Sequence, residues 1–80
     1  MITLEESKVL AYLRRRLVAA ATEVVAACLP GSSPEGTTRI FSQLEWFGYV
    51  VAYYGPTGEP VTLEITDKGL RSAGALQSAH

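Results

Sequence analysis

Thr37-Thr38-Arg39-Ile40-Phe41-Ser42-Gln43-Leu44-Glu45-Trp46-Phe47-Gly48-Tyr49-Val50 is the stretch on which the reading of this chain turns. Ile40, Leu44 and Phe47 recur at spacings of four and three, so a helix over 37–47 gathers them on one apolar face. Thr38, Ser42, Glu45 and Trp46 then point away, with Arg39 and Gln43 at the flank. Gly48 suits the left-handed residue that closes a helix, and the chain passes from it straight into a strand.

Downstream, Val61, Leu63 and Ile65 alternate with Thr62 and Glu64, the period of a half-buried strand. Its partner across Gly55-Pro56-Thr57-Gly58-Glu59-Pro60 does not alternate. Val50, Ala52 and Tyr54 face one side and Tyr49, Val51 and Tyr53 the other, so the pattern predicts a strand covered on both faces. Thr66 is placed to cap a last short helix over 67–76, ahead of a frayed end at 77–80. Upstream, Leu4 to Arg16 opens with Glu5 and Glu6, ends with Arg14, Arg15 and Arg16, and carries Val9, Leu10, Leu13 and Leu17 on one stripe, which predicts a first helix. The chain is expected to bend between Arg16 and Ala21, with Thr22 capping a second helix over 22–29, although the run Ala19-Ala20-Ala21 equally allows one helix from Leu17 to Leu29. Pro30-Gly31-Ser32-Ser33-Pro34-Glu35-Gly36 is a turn over 30–36 whose serines can cap the next helix.

Eighty residues suffice for a single domain over 1–80, and one of this size buries only about 60% of the surface its unfolded chain exposes. Apolar residues make up 48% and charged residues 19%, which excludes a disordered chain. The longest apolar run, Leu17 to Leu29, is interrupted by Thr22 and Glu23 and falls short of the roughly 20 residues a membrane span needs. No secretory pattern precedes Glu5, and Cys28 has no second cysteine to pair with, so a soluble cytoplasmic protein without membrane contact is expected. Seven Lys and Arg against eight Asp and Glu give a net charge of −1, so no global positive field gathers phosphates.

Leu44-Glu45-Trp46-Phe47-Gly48-Tyr49-Val50 followed by Leu63-Glu64-Ile65-Thr66-Asp67-Lys68-Gly69-Leu70 resembles the winged-helix regulators of the MarR and PadR type. There a leucine, a glycine four residues on and a hydrophobic pair open the wing, and an isoleucine-threonine-x-x-glycine segment closes it. The resemblance implies an α+β winged helix-turn-helix: a three-helix core, a two-stranded hairpin wing over 49–65 and a short last helix. It also implies a homodimer on duplex DNA with the third helix in the major groove, which singles out Thr37, Thr38, Arg39, Ser42 and Gln43. Contacts to the DNA backbone would fall to Ser32, Ser33, Arg14, Arg15, Arg16 and, on the wing, Thr57. The wing tip departs from the pattern, since Thr57 and Glu59 stand where Arg or Lys is usual.

The chemistry of these residues fits such a role. Arg39 can fork onto guanine, and hydroxyl and amide groups read base edges, although any solvated helix face carries such residues. Trp46, Tyr49, Val51 and Tyr53 form a second candidate set, either packed within the chain or docking on another protein. Cys28 reads as a small core residue, and His80 is the only histidine. No metal cluster, cofactor fingerprint, nucleophile-base arrangement or ligand pocket is expected, so catalysis is not. Two readings result: a transcriptional regulator that reads DNA with helix three, or a winged-helix interaction module in which DNA plays no part.

Overall fold

The computed structural model describes residues 2–78 and the side chains through Gly74. The order of elements is α1 (Leu4–Arg16), β1 (Val18–Ala20), α2 (Ala21–Cys28), α3 (Pro34–Trp46), β2 (Val50–Tyr54), β3 (Pro60–Ile65) and α4 (Asp67–Ser78). No helix among the described residues is long and apolar enough to cross a membrane. α1 begins with a reciprocal cap: the Thr3 hydroxyl accepts from the Glu6 N–H at 3.2 Å, and Glu6 Oε1 accepts from the Thr3 N–H at 2.9 Å.

The stretch between α1 and α2 is a strand, where the sequence predicted a bend or a continuous helix. Leu17 takes φ 68° and reverses the chain out of α1. Val18, Ala19 and Ala20 then pair antiparallel with Glu64, Leu63 and Thr62. The sheet is therefore three-stranded, in the order β1-β3-β2, rather than a bare hairpin. Helix propensity in the alanine run loses to a tertiary gain, because β1 covers an edge that β3 would otherwise leave unpaired.

The core gathers Val9, Leu10 and Leu13 from α1, Val24 from α2, Phe41 and Leu44 from α3, and Val50, Ala52, Leu63 and Ile65 from one face of the sheet. Two expectations are corrected here. α3 starts at Pro34, capped by Ser33, and its buried stripe is Thr37, Phe41 and Leu44. Ile40 is half-buried at the margin and Phe47 is 42% exposed. A longer helix carries the stripe back by a turn, while Phe47 becomes the capping residue and its ring moves to the side of Tyr49, 6.0 Å between centroids. The second correction concerns β2, which is covered on one face only. Val50 and Ala52 are buried, whereas Val51, Tyr53 and Tyr54 are about half exposed.

α4 runs to Ser78, past the expected 76, so 77–78 are helical; the remainder of the expected frayed end, 79–80, lies outside the described residues.

Candidate nucleic-acid interface

α3 is held at both ends by its own sequence. At the start, Ser33 Oγ accepts from the Gly36 N–H at 3.0 Å, and Pro34 occupies a position where a missing N–H costs nothing. At the end, the Tyr49 N–H donates to the Leu44 carbonyl at 2.9 Å and the Gly48 N–H to the Glu45 carbonyl at 2.9 Å, with Gly48 at φ 80°. This paired closure is the one glycine allows, as the sequence predicted for Gly48.

A clasp then ties the helix exit to the hairpin exit. The Thr66 hydroxyl lies 2.6 Å from the Gly48 carbonyl oxygen and 3.0 Å from that of Tyr49, and it accepts from the Gly69 N–H at 3.0 Å. Lys68 Nζ donates to the Phe47 carbonyl at 2.7 Å and lies 5.2 Å from the Tyr49 ring centroid. On the hairpin itself, the Tyr54 hydroxyl donates to Glu45 Oε1 at 2.6 Å, linking β2 to α3. That hydrogen bond raises the Tyr54 phenol above its ordinary pKa, as the 2.8 Å bond to Glu64 does for Tyr53.

The outward side of α3 presents Glu35, Thr38, Arg39, Ser42, Gln43 and Trp46, all exposed. Thr38, Arg39, Ser42 and Gln43 therefore stand together as the sequence predicted. Thr37 does not join them. It is 7% exposed and its hydroxyl donates to the Pro34 carbonyl at 2.9 Å, so it stabilises the first turn from the inner side. Glu35 was missed, because Pro34 and Gly36 read as turn residues; the serine-proline pair just before it carried the start signal.

The residues expected to meet a DNA backbone are mostly engaged within the chain. Arg16 pairs with Glu23 at 2.7 Å beside the Tyr12 hydroxyl, which itself donates to Glu23. The Arg14 guanidinium lies beside Gly74 of α4. Ser33 is spent on its cap, and the Thr57 hydroxyl donates to Glu59. Arg15 and Ser32 are exposed.

The four residues of the second candidate set also separate. Trp46 is 86% exposed, so it does not pack within the chain. Val51 and Tyr53 share the open face of the sheet with Val18. Tyr49 is half-buried between Phe47, Lys68 and the core margin. Contrary to the expectation of no pocket, an apolar groove of about 440 Å³ opens between α2 and the first turns of α3, lined among others by Val25, Ala26, Pro34, Thr37 and Phe41. Among the described residues no group of His, Cys, Asp and Glu could hold a metal ion.

The sequence matches no family model and no curated protein. The structure matches several solved ones. MepR, a transcription regulator of the Staphylococcus aureus multidrug efflux pump MepA, aligns with a TM-score of 0.77 at 18% identity, over 98% of this chain and 57% of its own. A mutant of E. coli MarR complexed with operator DNA aligns with a TM-score of 0.76 at 20% identity, over 96% of this chain and 54% of its own. A mutant of Lactococcus lactis ZitR in apo form gives a TM-score of 0.76 at 16% identity, over 98% of this chain and 58% of its own.

The fold is a winged helix, similar to that of MepR and MarR. In its terms α2 and α3 are the helix-turn-helix, β2 and β3 the wing, and β1 the short strand that completes the winged-helix sheet. The chain spans little more than half the length of these winged-helix neighbours, between 54% and 58% of each.

Proposed function

We propose that this winged helix binds duplex DNA through α3 and acts as a transcriptional regulator, by occluding a site or recruiting to it. One observation carries the reading: the side of α3 turned from the core is a row of base-reading groups, Thr38, Arg39, Ser42 and Gln43, on a helix fixed at both ends. Two winged-helix neighbours, MepR and the operator-bound MarR mutant, are described as a transcription regulator and as a complex with DNA, and both support it. We place the protein in the cytoplasm as a homodimer, with two copies reading two half-sites. A salt titration against random-sequence duplex tests the proposal. The chain is expected to bind at low ionic strength and to weaken as salt rises, and Arg39→Ala is expected to relax base preference and cost about 1–3 kcal/mol. Absence of affinity even at low ionic strength would end the reading.

A second reading, a winged-helix interaction module, is favoured by the uncovered sheet face of Val18, Val51 and Tyr53. Should the chain ignore DNA at low ionic strength and bind a partner protein that Tyr53→Asp releases, that reading takes its place.

A further inference from the structure

We infer that Trp46 is part of the DNA-reading surface and sets base preference at the far end of α3. The inference deepens the proposed function and rests on it. In an α-helix successive residues turn by about 100°, so Arg39 and Trp46, seven apart, point within about 20° of each other, with Ser42 and Gln43 flanking that line on its two sides. The indole thus continues the polar row at its C-terminal end. It is 86% exposed, more than any other large apolar side chain described.

The chemistry around Trp46 favours a nucleic acid over a protein as its cover. Protein interfaces concentrate apolar residues at their centre and exclude charge from it. Here the outward row holds Glu35, Thr38, Arg39, Ser42 and Gln43, and its apolar surface, Trp46 with the part-exposed Phe47 beside it, is confined to one end. Duplex DNA asks for that mixture: hydrogen-bonding groups for base edges and an apolar surface for the C5-methyl of thymine. The spacing agrees. Seven residues of helix rise about 10 Å, which is about three base steps at 3.4 Å each along a strand. A helix that sets Arg39 on a guanine edge therefore carries the indole to a thymine methyl or deoxyribose about three base pairs away. Glu35 at the other end of the row is placed to accept from a cytosine amino group or to repel phosphate, which sharpens discrimination rather than adding affinity.

Trp46 is the only tryptophan in the chain, so tryptophan emission reports on this one side chain. The experiment enriches a duplex from a randomised library with the unaltered chain, then titrates that duplex into the unaltered chain, Trp46→Ala, Trp46→Phe and Arg39→Ala. The expected result is a change in Trp46 emission that saturates with binding, and a loss of affinity on the order of tenfold for Trp46→Ala, the size of one mismatched base pair. Trp46→Phe is expected to retain most of the affinity. Preference is expected to relax about three base pairs from the position that Arg39→Ala relaxes. If the unaltered chain and Arg39→Ala behave as a DNA reader and its weakened form while Trp46→Ala keeps full affinity and unchanged preference, the inference is wrong and the function stands; the indole then belongs to a protein contact. If the library yields no bound duplex, both fall together.

Discussion

Gly69 sits where a side chain has no room: a Cβ there would lie 2.1 Å from the Tyr49 carbonyl oxygen and 2.7 Å from the Ile65 side chain. Because the first clash is with backbone, the wing root and α4 would have to part. Gly69→Ala is expected to destabilise the fold by about 3 kcal/mol, measured as a lower midpoint in urea unfolding. Leu17 makes the opposite choice, adopting φ 68° without being glycine, and the helix ends there because the sheet needs the reversal. Cys28 is half-buried beside the Lys8 carbonyl, 3.6 Å from its Sγ. Burial raises its thiol pKa, and Lys8 offsets that only in part. A raised pKa means less thiolate at any neutral pH, so alkylation by iodoacetamide is expected to run slower in the folded chain than in the same chain in urea, with the gap closing as pH rises. Equal rates at neutral pH would contradict this placement.

At the level of elements, α3 is where sequence and structure part company in an instructive way. The helix, its glycine closure and its passage into β2 are local features, governed by residues three to five apart, and all three were legible. Which apolar residues it buries was not. Ile40-Leu44-Phe47 and Thr37-Phe41-Leu44 both have helical spacing, and the choice depends on where α1 and the sheet stand against the helix. Phe41→Ala is accordingly expected to cost about 3–5 kcal/mol, and Phe47→Ala, whose ring is 42% exposed, about 1 kcal/mol, by denaturant unfolding. The reverse order would restore the sequence reading. β1 was illegible for a related reason, since a three-residue strand has no period of its own and exists only because β3 offers it an edge. Of the candidate interface, the placement of Thr38, Arg39, Ser42 and Gln43 off the apolar face followed from spacing, and their choice as base readers from the resemblance. Glu35 was hidden behind turn-forming neighbours, and the inward turn of Thr37 depends on the helix beginning three residues earlier than expected.

Across the whole molecule the scarce quantity is positive charge. Of seven basic residues, Arg16 is paired with Glu23 and Lys68 is drawn onto the Phe47 carbonyl, and the net charge is −1. Binding to random duplex is therefore expected to show a shallow salt dependence, a log–log slope of magnitude about 3 or less per chain. A steep slope would mean that basic groups converge on one face more fully than their ties within the chain suggest. The Thr66 clasp bears on this shortage. By fastening the wing's two ends to a common knot, it frees the loop at 55–59 from holding the hairpin's root, and that loop closes on its own hydrogen bonds, so its tip is exchangeable hardware. Glu59→Lys should accordingly convert the tip from a bumper into a grip, steepening the salt slope by about one unit while leaving the melting temperature nearly where it was.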